Sequence, residues 1–142
     1  NNNLAKVIIQ TRYPDDINLK QIKTGDYRLV ADQCLKVNKE LNMPPYSSIC
    51  ILRAVSPNTT SSPRFLNRTQ LTLSNKNGIS TIGPLPSIPF KTKGNTRNHL
   101  IIISPTKTYL NRVLKFLTKE FESWPETKKV KWSYDIDPYD MS

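Results

Sequence analysis

The fold is decided by residues 97–124, which read RNHLIIISPTKTYLNRVLKFLTKEFESW. The apolar run Leu100–Ile103 has no polar break, which is typical of a strand buried on both faces. Ser104-Pro105-Thr106 ends this strand and begins a helix, because proline suits a first turn and Ser or Thr can cap it. Helical spacing is kept by Leu110, Val113, Leu114, Leu117, Phe121 and Trp124. The unit is therefore a buried strand followed by an amphipathic helix, whose other face carries Lys107, Arg112, Lys115 and Lys119.

Around this unit the charge is distributed unevenly. The chain has 142 residues, about one domain, and a net charge of +10. No acidic residue lies between positions 41 and 119, a window that holds eleven Lys and Arg residues. A central block of one sign favours a polyanion or an acidic peptide as partner. The alternative is a solvated basic face with no partner.

The order of elements predicts the fold class. From Tyr46 onward we expect a strand over 48–55, a helix over 64–73, a strand over 79–85, the strand and helix described above, and a last strand over 129–136. This β-α-β-β-α-β order closes most simply into a ferredoxin-like α+β fold, a four-stranded antiparallel sheet with both helices on one face. The first and third strands would be central. The lysines of the last strand are interpreted as protection of a sheet edge.

Residues 1–45 form a different pattern. We expect a strand over Lys6–Thr11, a short helix from Asn18 to Gly25, and a second helix capped by Asp26. One face of the second helix is apolar: Tyr27, Val30, Ala31, Cys34, Leu35 and Leu41. The double proline Pro44-Pro45 ends it and predicts a boundary between domains 1–45 and 46–142. The first segment, or another domain, would cover the side of the sheet that has no helices.

Catalytic and metal chemistry are not predicted. No Gly-rich phosphate loop is present, and the single histidine, His99, is expected to be structural. Asp135 and Asp137 are expected to be solvated carboxylates rather than a cation site. Cys34 and Cys50 are expected to be buried and reduced, as in a cytosolic protein. No apolar run is long enough to span a membrane, and no signal peptide is visible.

Four segments together resemble one family. They are VIIQT at 7–11 with Pro14, LNMPPY at 41–46, GPLP at 83–86 and KVKWSYDIDP at 129–138. Their order and spacing are similar to the C-terminal end of primosomal protein N′, the PriA family of bacterial replication-restart helicases. The chain departs from the family before the third strand, where Arg97 stands without the family's alternating aromatic residues. Stacking on bases is therefore not expected there, and only charge contact remains.

The resemblance implies a non-catalytic fragment of an ATP-dependent 3′ to 5′ DNA helicase. Residues 1–45 would be the end of the second helicase lobe, and residues 46–142 the C-terminal domain. ATP, Mg and Zn would belong to the full-length parent, and no cofactor to this fragment. Its partners would be forked DNA, single-stranded-DNA-binding protein and other primosome proteins, and its place the bacterial cytoplasm, associated with the nucleoid rather than with a membrane.

Three hypotheses follow for the site. In the first, a basic surface binds DNA phosphates through Lys91, Lys93, Arg97, Lys107, Arg112 and Lys115, gathered on one outer wall. In the second, the start of the Thr106 helix binds the acidic tail of single-stranded-DNA-binding protein. The resemblance then gives Lys107 and Asn111 the tail-binding positions. In the third, the domain only braces the helicase lobes.

Overall fold

The computed structural model describes residues 7–25, 27–92 and 94–139. The chain divides into two compact units, residues 1–37 and 38–142. The boundary proposed at the double proline stays a prediction. In the described ranges no helix is both long and apolar enough to cross a membrane.

The described residues of the first unit form helices and irregular backbone. The helices α1 (Ile17–Thr24) and α2 (Tyr27–Glu40) follow irregular backbone over 7–16. The predicted strand over Lys6–Thr11 is wrong for residues 7–11, because a strand needs a neighbour to pair with and this unit offers none among its described residues. Lys6 and the predicted cap Asp26 lie outside the described residues. Gln21 Nε2 donates to Gln33 Oε1 at 3.0 Å between the two helices.

The apolar face expected on α2 is not buried. No residue of this helix is buried, and Tyr27 is 81% exposed.

The prediction that Cys34 is buried is wrong, since this thiol is exposed. Cys50 is buried as predicted, and burial raises the pKa of its thiol to about 12. We therefore expect thiol-reactive electrophiles to modify Cys34 and leave Cys50 unmodified.

The second unit has the predicted topology. Its strands are β1 (Ser48–Ser56), β2 (Ser80–Thr92), β3 (Asn95–Ser104) and β4 (Lys131–Ile136). They form one antiparallel sheet in the order β2-β3-β1-β4, so the first and third strands are central and the other two are edges. The ferredoxin-like α+β prediction is confirmed.

Two helices cover one face of this sheet. They are α3 (Ser61–Ser74) and α4 (Lys107–Ser123), and a 3-10 turn at Pro125–Lys129 leads into β4. Thr106 caps α4 as predicted, because its hydroxyl accepts a hydrogen bond from the Tyr109 N–H at 3.2 Å. The apolar stripe of α4 is buried against the even-numbered residues of β1 and β3, such as Leu52 and Leu100.

The opposite face of the sheet carries the odd-numbered residues of the central strands. Ile49, Ile51 and Ile101 form a second, smaller core there, with Met43 and Ile103 packed against it. Leu100–Ile103 is thus apolar on both faces because each face has its own core. Met43 lies before the double proline, so part of the predicted cover comes from that segment.

The edge strand β2 is longer than the sequence predicted. Its three prolines were expected to end it near Leu85, but the strand runs on to Thr92. Proline is tolerated on an edge strand, where its missing N–H faces away from the ladder. The pairing with β3 shifts register twice to accommodate the prolines. Gly83 has φ 116°, and an added Cβ would lie 3.0 Å from the His99 carbonyl oxygen, so this position requires glycine.

Candidate nucleic-acid interface

The face of the sheet without helices changes from apolar at one end to basic at the other. At the apolar end Ile49 pairs with Ile103 and Ile51 with Ile101. Toward the other end β1 continues with Arg53 and Val55, and Val55 pairs with Arg97 on β3 and Lys131 on β4. Arg97 and Lys131 therefore lie in one row on this face, two strand spacings or about 10 Å apart.

Two further lysines lie beside this row. Lys128 and Lys129, in the turn before β4, line a depression of about 300 Å³ together with Lys131. Val55, Pro57, Asn95 and Val130 also line it. We call Arg97, Lys128, Lys129 and Lys131 the basic corner. Its three lysines are exposed and Arg97 is half-buried, so their charges are accessible to a ligand.

The packing of the core fixes the direction in which Lys131 points. Val130 is buried, and the Trp132 ring packs 5.0 Å from the ring of Phe121 under the helices. Because alternate residues of a strand point to opposite faces, Lys131 must face the side without helices. Tyr134 continues the buried alternation, and burial raises the pKa of its phenol. The alternation that packs Trp132 and Tyr134 against the core therefore also exposes Lys131 on the face without helices.

A buried polar network holds the sheet end next to the corner. Ser62 Oγ donates to Asn98 Oδ1 at 2.9 Å, and Thr96 Oγ1 donates to the Asn58 carbonyl oxygen at 2.6 Å. Ser56 Oγ donates to the same carbonyl at 2.6 Å. The network joins the end of β1 and the start of β3 to the beginning of α3. It fixes the turn that includes Pro57, which lines the depression.

The basic corner is not neutralised by its surroundings. None of its four cations forms an ion pair with a carboxylate of the described residues. Asp135 of β4, whose partner Ile51 places it on this face, accepts a hydrogen bond from Arg53 Nη2 at 3.1 Å. Such an unpaired cluster attracts anions.

The two central strands of this face offer phosphate contact without base stacking. On this face β1 carries Ile49, Ile51, Arg53 and Val55, and β3 carries Arg97, His99, Ile101 and Ile103. None is a Phe, Tyr or Trp, and the one aromatic ring among them, that of His99, is buried. The central strands therefore offer no accessible ring on which single-stranded bases could stack. Lysine and arginine side chains remain, and these contact backbone phosphates irrespective of sequence.

Comparison with known proteins assigns the chain to a family. The model of the Primosomal protein N C-terminal domain matches residues 39–139. The chain belongs to this family. It is 31% identical over 144 residues to the Replication restart protein PriA of Buchnera aphidicola from Schizaphis graminum, covering 98% of the chain and 20% of that relative. It is 24% identical over 141 residues to the protein of the same name from Haemophilus influenzae, covering 97% of the chain and 19% of the relative.

The chain thus spans about a fifth of the length of these curated relatives. Among solved structures it is similar to the de novo designed protein Foldit4, with a TM-score of 0.50, 12% identity, and coverage of 66% of this chain and 99% of that one. This likeness concerns the fold alone. The resemblance to the primosomal family that the sequence motifs indicated is confirmed.

For this member of the primosomal protein N C-terminal domain family, the predicted DNA-binding residues do not share one surface. Arg97 lies in the basic corner, and Lys91 is exposed at the same end of the sheet, where it pairs with Thr96. Arg112 and Lys115 are exposed on the outer face of α4, across the sheet from Arg97. The expectation of a common wall is wrong, because β3 and α4 belong to different layers. Lys93 lies outside the described residues.

The predicted tail-binding pair lies on α4. Lys107 and Asn111 are exposed one helical turn apart. Lys107 Nζ is bonded to Asp137 Oδ2 at 2.6 Å, and Asp135 pairs with Arg53, so both predicted solvated carboxylates form ion pairs. No group of three or more potential metal ligands occurs in the described ranges.

Sequence reasoning did not select Lys128, Lys129 and Lys131 as candidate binding residues. Acidic Glu120, Glu122 and Glu126 lie just before them, so they fell outside the window of uniform charge. The lysines of the strand were interpreted as edge protection. A usable signal was present, since Trp132 packing inward requires Lys131 on the side without helices.

His99 gives a prediction on pH within this face. Its side chain is 5% exposed, and its Nδ1 lies 3.1 Å from Ser87 Oγ. Burial lowers its pKa below the ordinary 6.5, with a further contribution from the Arg53 charge. The unfolded chain therefore binds a proton first as pH falls, and the stability contributed by neutral His99 is lost below about pH 6.5.

We expect the free energy of unfolding to fall between pH 7.5 and pH 5.5 more in the natural chain than in His99→Gln. Urea unfolding at both pH values measures this difference. Since the chain has one histidine, the variant isolates its contribution. An equal fall in both proteins would contradict the assignment.

Proposed function

We propose that this chain is a DNA-contacting domain of a bacterial replication restart protein, and that the basic corner binds backbone phosphates. One observation carries the proposal. Arg97 and Lys131 lie in one row at the end of the helix-free face, and Lys128 and Lys129 line a depression together with Lys131. None of the four forms an ion pair with a described carboxylate. The names of the curated relatives supply the biological setting.

The proposed binding is independent of base sequence. Lysine is a flexible point charge that contacts phosphate oxygens, and the central strands present no accessible aromatic ring to bases. A domain of this kind suits a protein that recognises the shape of a DNA fork. In the full-length parent, which we propose is an ATP-dependent helicase using Mg and Zn, this domain would hold DNA without performing catalysis.

Binding of a labelled DNA duplex to the chain is expected to depend steeply on salt. If the corner makes about four phosphate contacts, raising salt from 50 to 200 mM lowers affinity by about a hundredfold, because each contact releases counterions. Fluorescence anisotropy measures this change, and a duplex of unrelated sequence is the control. An affinity that is insensitive to salt, or that differs strongly between the two duplexes, would contradict the proposal.

A second candidate function concerns acidic tails. The ion pair between Lys107 Nζ and Asp137 Oδ2 is consistent with a carboxylate-binding position at the start of α4. We propose that the acidic tail of single-stranded-DNA-binding protein contacts Lys107 and Asn111 there, in competition with Asp137. The family of the chain supports other primosome proteins as proposed partners, and a purely bracing role is the alternative.

A further inference from the structure

A groove on one flank of α4 combines an apolar floor with two cations. It is lined by Lys76, Tyr109, Arg112, Val113 and Phe116, with a volume of about 260 Å³. Lys76 comes from the turn after α3, and the other four come from α4. Tyr109 and Phe116 are half-buried and Arg112 is exposed, so rings and charge are accessible together.

The groove is held in place on both sides. Tyr109 Oη donates to the Asn77 carbonyl oxygen at 3.0 Å, which ties α4 to the turn. Lys76 Nζ lies 4.2 Å from the centre of the Phe116 ring. The turn also contains Gly78, where an added Cβ would lie 3.6 Å from Pro105 at the start of α4. The site is therefore formed before any ligand arrives.

The charge of the groove is not balanced. Neither Lys76 nor Arg112 forms an ion pair with a carboxylate of the described residues. The groove is also distinct from the other candidate sites. At 100° per residue, Tyr109, Val113 and Phe116 lie on the flank of α4 away from Lys107 and Asn111. Arg97 and Lys131 of the basic corner lie on the other face of the sheet.

We infer that this groove binds an acidic peptide segment that inserts one apolar side chain. The floor would bury that side chain while Lys76 and Arg112 contact flanking carboxylates.

A nucleic acid fits this groove less well. The Lys76 ammonium lies over one face of the Phe116 ring, 4.2 Å from its centre, where a stacked base would have to lie. Stacking of a base requires a free ring face, whereas a small apolar side chain requires only a recess between ring edges and methyl groups. The observations therefore favour a peptide.

The test uses the whole chain and a short fluorescent peptide of glutamates around one leucine. The double variant Lys76→Glu with Arg112→Glu is expected to lose at least tenfold in affinity. The matched control, Lys115→Glu with Lys119→Glu, changes net charge equally on exposed positions of the same helix and is expected to lose no more than about threefold. Replacing the leucine of the peptide by serine is expected to weaken binding by about tenfold.

NMR titration of the unmodified chain decides the site even if a variant fails to fold. Amide shifts concentrated at Lys76 and residues 109–116 support the groove, and shifts confined to other residues overturn it. Equal losses in the two double variants would show diffuse charge attraction and overturn it. Displacement of the peptide by a single-stranded oligonucleotide, with the same amides shifted, would overturn it in favour of nucleic acid.

Discussion

Reversing Lys128, Lys129 and Lys131 together to glutamate is expected to weaken binding of duplex DNA by at least about a hundredfold at low salt. Three attractive phosphate contacts would be replaced by three repulsive ones, leaving Arg97 as the only cation of the basic corner. All three lysines are exposed, so the substitutions should leave the core intact. Anisotropy with a labelled duplex measures the loss, and the salt dependence should become shallower by about three contacts.

The matched control for this prediction lies on α4. Arg112→Glu, Lys115→Glu and Lys119→Glu change the net charge by the same amount on exposed residues across the sheet from the corner. We expect them to weaken binding by no more than about fivefold, through the general field of the protein. Equal losses in the two triple variants would mean that DNA does not use the corner. A larger loss on α4 would restore the site predicted from sequence at Arg112 and Lys115.

The difference between those two sites shows where sequence reasoning ends. A one-dimensional count finds an excess of positive charge but does not say which side of a sheet each cation occupies. Arg97 and Arg112 are fifteen positions apart, yet β3 and α4 place them in different layers. Arg97 and Lys131 are farther apart in sequence and lie in one row, because both flank Val55. The pairing register between strands decides which cations share a face, and no local sequence pattern reveals that register.

The fold was more accessible to prediction than the site. Strand alternation and helix spacing each report directly on the core, so the order β-α-β-β-α-β and the central position of Leu100–Ile103 followed from sequence. The errors have local causes. Proline usually ends a strand, but at an edge it costs no ladder bond, so β2 continued to Thr92. The apolar stripe of α2 is not buried, because hydrophobic spacing predicts a helix face but not the surface against which it packs.

Phe121→Ala is expected to lower the free energy of unfolding of the second unit by about 3–5 kcal/mol. Phe121 is fully buried, and its ring centre lies 4.7 Å from Phe65, 5.0 Å from Trp124 and 5.0 Å from Trp132. Removing the ring leaves a cavity and breaks its contacts with the three neighbouring aromatic rings. Urea unfolding followed by tryptophan fluorescence measures the loss, since both tryptophans of the chain belong to this cluster.

The same substitution tests whether the core positions the basic corner. Trp132 packs on Phe121 and its neighbour Lys131 faces the ligand, so loosening the ring should weaken DNA binding even at temperatures where the variant remains folded. Leu71→Ala is the matched control, because Leu71 is 72% exposed on α3 and its truncation should change stability by less than about 0.5 kcal/mol. If Phe121→Ala cost no more than Leu71→Ala, the aromatic cluster would not be the core of this unit. If it lowered stability but left DNA affinity at the natural value, the lysines would be placed by the turn Pro125–Lys129 rather than by the packing of β4.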